Sequence, residues 1–129
     1  MNDDDKKIRE FTDLNAWKES HKVVLLTYAM TKTFPKSEIF GLQSQMQRAA
    51  ISITSNIAEG FGRQGFKEKI QFYYMAQGSL TELKNQFIAA KDIGYMNVEE
   101  YEKISNHMNI AHKVLQGLIT RSKTFINQK

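Results

Sequence analysis

The residues of this chain that could do chemistry fall into four groups. The first is Gly60-Phe61-Gly62-Arg63-Gln64-Gly65, which matches the G-x-G-x-x-G string letter for letter. In a dinucleotide fold such glycines follow a strand and open a helix within a βαβ unit. Here they follow a helical pattern, and no strand-like alternation is available. Nucleotide binding by that route is rejected, and a flexible loop between helices is expected instead. Its backbone amides and Arg63, near a helix start, retain the means for a weak phosphate contact.

The second group is a pair of polar stripes. Gln45, Arg48, Ser52, Ser55 or Asn56, and Glu59 share one helix, and Gly78, Ser79, Glu82 and Gln86 share another. Arg48 paired with Glu59 or Glu82 would form a site between helices or subunits. The structural alternative is favoured: an Arg–Glu pair beside small residues fixes helix register and closes an interface. Gly78 fits that alternative, because glycine inside a helix costs about 1 kcal/mol and is usually kept for close packing.

Histidines form the third group. His107 and His112 are five residues apart, which separates them around a helix, whereas paired metal ligands want a spacing of three or four. His21 falls on an apolar stripe and is expected to be a hydrogen-bonded core histidine. No nucleophile, base and orienting group can be assembled from the chain, so no catalysis, metal or cofactor is expected.

Cations are the fourth group. After Glu102 the sequence contains no acidic residue, yet it carries Lys103, Lys113, Arg121, Lys123 and Lys129. Lys32, Lys36, Arg63, Lys67 and Lys69 cluster around the loops and would extend the patch. Such a surface can track a phosphate backbone, and symmetric assembly would multiply it. The competing explanation is complementarity to the helix dipole, with Glu99, Glu100 and Glu102 at one end of the helix and cations toward the other. A net charge of +4 and a pI near 9.3 permit a polyanionic partner without requiring one.

The elements that must position these groups are all helical. The chain has 129 residues, 41% of them apolar and 25% charged, which suits one globular domain with a real core. It contains no cysteine, which excludes disulfides and thiolate chemistry. Its longest aliphatic run, Val23-Val24-Leu25-Leu26, falls far short of the roughly 20 residues of a spanning helix. The start, Met1-Asn2-Asp3-Asp4-Asp5-Lys6-Lys7, lacks the apolar stretch of a secretory signal. A cytoplasmic location and a flexible tail over residues 1–11 are expected.

The bundle itself should occupy residues 12–127, in helices of about 14–33, 38–60, 66–93 and 98–126. Thr12 or Asp13 would cap the first helix, whose stripe reads Leu14, Trp17, His21, Val24 and Tyr28, and Phe34-Pro35 would end it. The second presents Leu42, Met46, Ala49, Ile53 and Ile57, and stops in the glycine cluster, where left-handed geometry disfavours continuation. The third presents Tyr73, Ala76, Leu80, Leu83, Phe87 and Ala90, and Gly94 stops it. In the fourth, Asn97 and Glu100 form a capping box ahead of a three- and four-residue seam from Tyr101 through Leu115 to Phe125. Short connections favour antiparallel neighbours, hence an up-down-up-down four-helix bundle. Phe72 to Ala76 and the Ala49–Ala58 region are apolar around more than one side, which implies a second contact surface between subunits.

The sequence resembles the small bacterial "four helix bundle protein" family. The resemblance rests on Trp17-Lys18, Phe34-Pro35, Glu38, Gly41-Leu42 with Gln45, Arg48-Ala49, Ser52 with Asn56-Ile57-Ala58-Glu59-Gly60, Gly78-Ser79 with Glu82, Ala90 and Gly94-Tyr95. Members include proteins encoded within intervening sequences of large-subunit ribosomal RNA genes, and the accessory variability proteins of diversity-generating retroelements are related. The resemblance implies a left-handed bundle, a ring-like homopentamer and no enzymatic activity or cofactor. For the retroelement relatives it implies a basic surface that binds RNA and a reverse transcriptase.

The expected function is therefore a non-enzymatic homo-oligomeric scaffold that binds structured RNA or DNA, or a nucleic-acid-processing partner. Arg63, Lys67, Lys69, Lys113, Arg121 and Lys123 are the candidate phosphate contacts. Arg48, Ile51, Ser52, Asn56, Glu59, Gly60, Phe72, Tyr74, Gly78, Ser79 and Glu82 are the candidate interface or family-motif positions. The alternative is a protein–protein adaptor that makes no contact with nucleic acid.

Overall fold

A computed structural model describes residues 7–126. Four helices carry the fold: α1 (Asn15–Thr31), α2 (Leu42–Phe61), α3 (Phe66–Ile93) and α4 (Val98–Lys123). No strand occurs among the described residues. α1 packs on α2 and α4, and α3 packs on the same two, while the diagonal pairs do not meet. That is a square, up-and-down four-helix arrangement, with its most extensive contact between α2 and α3.

The core is apolar from end to end. Met46, Ile53 and Ile57 of α2, Tyr73, Leu80, Leu83 and Phe87 of α3, and Ile104, Met108 and Leu115 of α4 are all fully or almost fully buried. The seams expected for α2, α3 and α4 thus face inward, although Tyr101 is half-buried and Phe125 is exposed, stacked on Phe66 with ring centroids 4.9 Å apart. Burial pushes the phenol of Tyr73 up to about 12.

α1 differs from expectation in its cap and in part of its stripe: Leu14, Trp17 and Val24 lie in or against the core, but His21 and Tyr28 do not. Its buried residues are Ala16, Ser20, Val23, Val24, Thr27, Met30 and Thr31, while Tyr28 faces solvent. Small and hydroxylated residues can line this face because Thr27 donates to the Val23 carbonyl at 2.7 Å and Thr31 to that of Thr27 at 2.8 Å. The two threonine hydroxyls are thus satisfied within the helix itself, whereas the buried Ser20 hydroxyl has no partner among the described residues. His21 is not a hydrogen-bonded core residue: it is half-buried and stacked on Trp17, centroids 4.6 Å apart. The N-cap is Leu14 rather than Thr12 or Asp13, and the helix stops at Thr31 rather than 33. Asp13 caps a preceding 3-10 turn, Phe11–Asp13, accepting the Arg9 and Glu10 amides at 3.0 Å each. Of the tail expected over residues 1–11, residues 1–6 lie outside the described residues.

The connections are short and specifically built. Lys36–Glu38 forms a 3-10 turn, so α2 starts at Leu42, four residues later than expected. α2 then runs through Gly60 to Phe61, and none of Gly60, Gly62 and Gly65 adopts a positive φ. The glycine cluster therefore ends the helix without left-handed geometry. Gly94 does supply it, at φ +98°, with the Tyr95 amide bonded back to the Ala90 carbonyl at 2.9 Å. At the start of α4 both capping-box bonds form: the Glu100 amide to Asn97 Oδ1 at 2.8 Å, and the Asn97 amide to Glu100 Oε1 at 3.1 Å. α4 gives way to a turn after Lys123, three residues before 126.

Candidate nucleic-acid interface

A concentration of unneutralised positive charge lies where α1 begins, against the C-terminal half of α4. Lys113, Gly117 and Arg121 follow one another at four-residue spacing along one side of α4. Because the helices run antiparallel, this side faces the first turns of α1. Lys7, Lys18, Lys113 and Arg121 thereby line one cleft of about 710 Å³, with Ile8, Leu14 and Val114 as apolar wall and Asn15 as a polar group. The Arg121 guanidinium lies over Gly117: a Cβ there would be in ordinary van der Waals contact with Arg121 Nη1, at 3.4 Å.

One carboxylate, Asp13, shares the cleft with the four cations. Bonds from the Glu10 and Arg9 amides hold its pKa below the usual value, helped by the charges of Lys18 and Arg9. Its oxygen is thus committed to the backbone. None of the four cations forms an ion pair among the described residues. A concave surface of this sign suits phosphate oxygens.

Of the six candidate phosphate contacts, Lys113 and Arg121 come together here and the others do not. Arg63 is bound to Glu59 at 3.3 Å and Glu68 at 3.8 Å, and its guanidinium lies 4.6 Å from the centre of the Phe72 ring. Lys69 donates to the Phe61 carbonyl at 2.6 Å beside the Phe61 and Phe66 rings, and burial lowers the pKa of its amine. Lys123 sits 5.2 Å from the Tyr74 ring centre, and Lys67 is exposed at the start of α3. Arg63 and Lys69 therefore fasten the α2–α3 connection. Lys7 and Lys18 are cleft residues that the sequence pattern missed, because their alignment with α4 depends on how the helices pack.

The polar stripes of α2 and α3 also resolve into distinct roles. Ser52 and Ser79 share a hydrogen bond of 2.8 Å, and Asn56 donates to the Ser52 carbonyl at 2.9 Å and to its hydroxyl at 3.1 Å. These three side chains tie α2 to α3 inside the chain. Gly60 permits their close approach, since a Cβ there would meet Tyr73 at 2.7 Å and the Lys69 carbonyl at 3.0 Å.

Arg48 pairs with neither Glu59 nor Glu82 among the described residues. Arg48 and Glu59 are eleven residues apart on one helix, about 16 Å along its axis, too far for a contact. Instead Arg48 borders an outer groove with Tyr28, Ile51 and Ser52. Ile51, Tyr74 and Met75 are exposed, as are Gly78 and Glu82, while Phe72 is half-buried. Gly78 does not serve close packing within the chain: a Cβ there would meet nothing within 4 Å.

Among the described residues, no three His, Asp or Glu side chains could jointly hold a metal ion, and no helix is long and apolar enough to cross a membrane. No curated protein matches the sequence. A solved structure that it resembles is a protein of unknown function from the S23 ribosomal protein family of Bacteroides thetaiotaomicron VPI-5482. The TM-score is 0.75 and the identity 22%, over 81% of this chain and 97% of that one, a likeness that speaks for the fold alone. Residues 12–117 match the family described as 23S rRNA-intervening sequence protein, and the chain belongs to that family.

Proposed function

We propose that this protein is a non-catalytic helical scaffold that assembles with copies of itself and binds structured RNA through the cleft of Lys7, Lys18, Lys113 and Arg121. The observation that carries the reading is the gathering of these four cations, from two antiparallel helices and the segment before α1, around one concave surface. Assembly is supported by the exposed Ile51, Tyr74 and Met75, and by a helix-interior glycine, Gly78, that packs on nothing within its own chain. A ring, the pentamer that the family resemblance implies, would repeat the cleft around its axis and turn weak single contacts into strong joint ones. An RNA-associated protein such as a reverse transcriptase could then share the bound RNA.

The test is binding of the purified oligomer to labelled structured RNA and to duplex DNA across a salt series. Wild type should bind RNA with an affinity that falls steeply as salt rises. The combined change Lys18→Glu, Lys113→Glu and Arg121→Glu should weaken binding and flatten the log–log salt slope by about two to three. Equal binding by this variant and wild type would remove the cleft from the interface.

A second reading, a protein–protein adaptor without nucleic-acid contact, draws on Phe40. Its side chain is 97% exposed, beside a half-exposed Ile39, at the end of the bundle opposite the cleft. A polypeptide that co-purifies with wild type but not with Phe40→Ser, together with no RNA binding at any salt, would favour it.

A further inference from the structure

On the other side of Lys113 from the cleft lies a second hollow. Lys84 of α3 and Asn106, Asn109, Ile110, His112 and Lys113 of α4 line a groove of about 610 Å³ between the two helices. Lys113 lines both this groove and the cleft against α1, so the two basic surfaces meet at one side chain and continue around α4. Among the described residues, no carboxylate lines the groove. Glu82, two residues before Lys84, lies on another side of α3. α4 carries no acidic residue after Glu102.

The polar groups of this groove can give protons to a ligand. Lys84 Nζ lies 3.4 Å from His112 Nδ1, and both side chains are half-buried. An ammonium has hydrogens to donate and no lone pair, so Nδ1 accepts and the neutral imidazole carries its proton on Nε2. We infer that the groove is a second anion site, which takes a tetrahedral oxyanion of the phosphate or sulfate kind, and that His112 gains a proton as the anion binds. The charged groups that face the imidazole are Lys84 from α3 and Lys113 from its own helix, both positive. Burial, then the Lys84 charge, therefore keeps the ring neutral in the free protein. A bound dianion reverses the local field and favours the imidazolium. By reciprocity, an anion that raises the proton affinity of His112 binds more tightly as pH falls. The extension to RNA rests on the reading of the neighbouring cleft: a further phosphate of the same RNA enters the groove, and the grip strengthens in mild acid.

Sulfate is the probe, because its charge stays constant while histidine titrates. The imidazole resonances are followed by NMR against pH in sodium sulfate and in sodium chloride of equal ionic strength. His112 is assigned from the signal missing in His112→Gln. Sulfate should raise the His112 midpoint and leave those of His21 and His107 in place. By calorimetry, sulfate should bind about three- to tenfold more tightly at about pH 5.5 than at about pH 8. His112→Gln should abolish that ratio, and Lys84→Met, which keeps a long side chain without its charge, should weaken binding at both pH values. Equal His112 midpoints in the two salts, or a sulfate affinity indifferent to pH, overturns the proposal. RNA binding at fixed salt is then compared at the same two pH values in wild type and His112→Gln. A sulfate response without RNA binding leaves the anion site standing and defeats only the RNA reading. RNA binding that ignores both pH and His112→Gln keeps the cleft and overturns the part given to the groove.

Discussion

The hydroxyl of Tyr95 donates a 2.6 Å hydrogen bond to Oε2 of Glu38, joining the α3–α4 turn to the α1–α2 connection. The other carboxylate oxygen, Oε1, accepts the Leu42 amide at 3.0 Å and so caps α2. Gly41 makes room for it, since a Cβ there would lie 2.6 Å from that oxygen. The rings of Phe34 and Tyr95 meet at 5.3 Å beside the clasp. One carboxylate thus starts a helix and closes the end of the bundle away from the basic cleft.

This clasp should be visible in the acid stability of the protein. The Tyr95 hydroxyl, and after it the Leu42 amide, hold Glu38 below its ordinary value of 4.5. A lowered carboxylate contributes stability that is present above the unfolded value and lost as pH falls through the folded one. Wild type should therefore lose urea resistance below about pH 4.5 partly through Glu38. Tyr95→Phe should be less stable at neutral pH and show a shallower acid loss. Parallel curves for the two proteins would mean that the bond does not couple to folding.

Two glycines make opposite predictions under the same substitution. At Gly60 a methyl would sit 2.7 Å from Tyr73 Cε1 and 3.0 Å from both the Lys69 carbonyl and Phe72 Cβ. The carbonyl cannot swing aside as a flexible side-chain end would, so Gly60→Ala should cost about 1–3 kcal/mol in urea unfolding. At Gly78 the methyl meets nothing within the chain, and helix propensity alone would stabilise the protein by about 0.5–1 kcal/mol. If a neighbouring subunit packs there, Gly78→Ala should instead loosen the oligomer. Sedimentation alongside unfolding separates the two results, and a neutral Gly60→Ala would show that α2 and α3 are less tightly apposed than the distances indicate.

What the sequence disclosed tracks how local each determinant is. α3 and its stop at Gly94 were legible because a positive φ at a helix end asks for glycine, and the Asn97–Glu100 box because both partners lie within four residues. The start of α2 was misread because the partner of Glu38 is 57 residues away. The α1 stripe was only partly legible: Leu14, Val24 and Trp17 do lie in or against the core, but the rest of the buried face uses Ser20, Thr27 and Thr31, of which the two threonines are satisfied by local carbonyls only once the helix exists. Lys113 and Arg121 were readable as a basic run along α4. Their union with Lys7 and Lys18 was not, because it depends on the antiparallel register of two helices about 100 residues apart. Arg63 and Lys69 looked available only because their partners, Glu59, Glu68 and the Phe61 carbonyl, could not be assigned before the loop was folded.

A second pH effect should appear nearer neutrality. His112 of α4 lies 3.4 Å from Lys84 of α3, and burial, then the lysine charge, lowers its pKa below 6.5. A base with a lowered folded value is most stabilising when neutral, so stability is complete above 6.5 and falls as pH drops through the folded value. Burial likewise lowers Lys84, so both groups disfavour charge in this groove. His112→Gln should flatten the stability profile between neutral pH and the region where Glu38 begins to act. An imidazole that titrates above 6.5 by NMR would contradict the geometry.

Assembly makes the last prediction, and it depends on which faces are apolar without a partner inside the chain. Ile51 is 43% exposed and Tyr74 42%, on helices whose inner faces already fill the core. Both positions lie outside the core, so Ile51→Glu and Tyr74→Glu should leave the helical content unchanged. If these faces meet a second copy, each substitution buries an unpaired carboxylate at the contact, a penalty of several kcal/mol that repeats at every interface of a ring. Sedimentation equilibrium should then show a fall to monomer, or to aggregate where the exposed patch finds other partners. A native mass identical to wild type in both variants would place the assembly surface elsewhere. Leu25, exposed at 58%, and Ile110, at 46%, would become the next positions to charge.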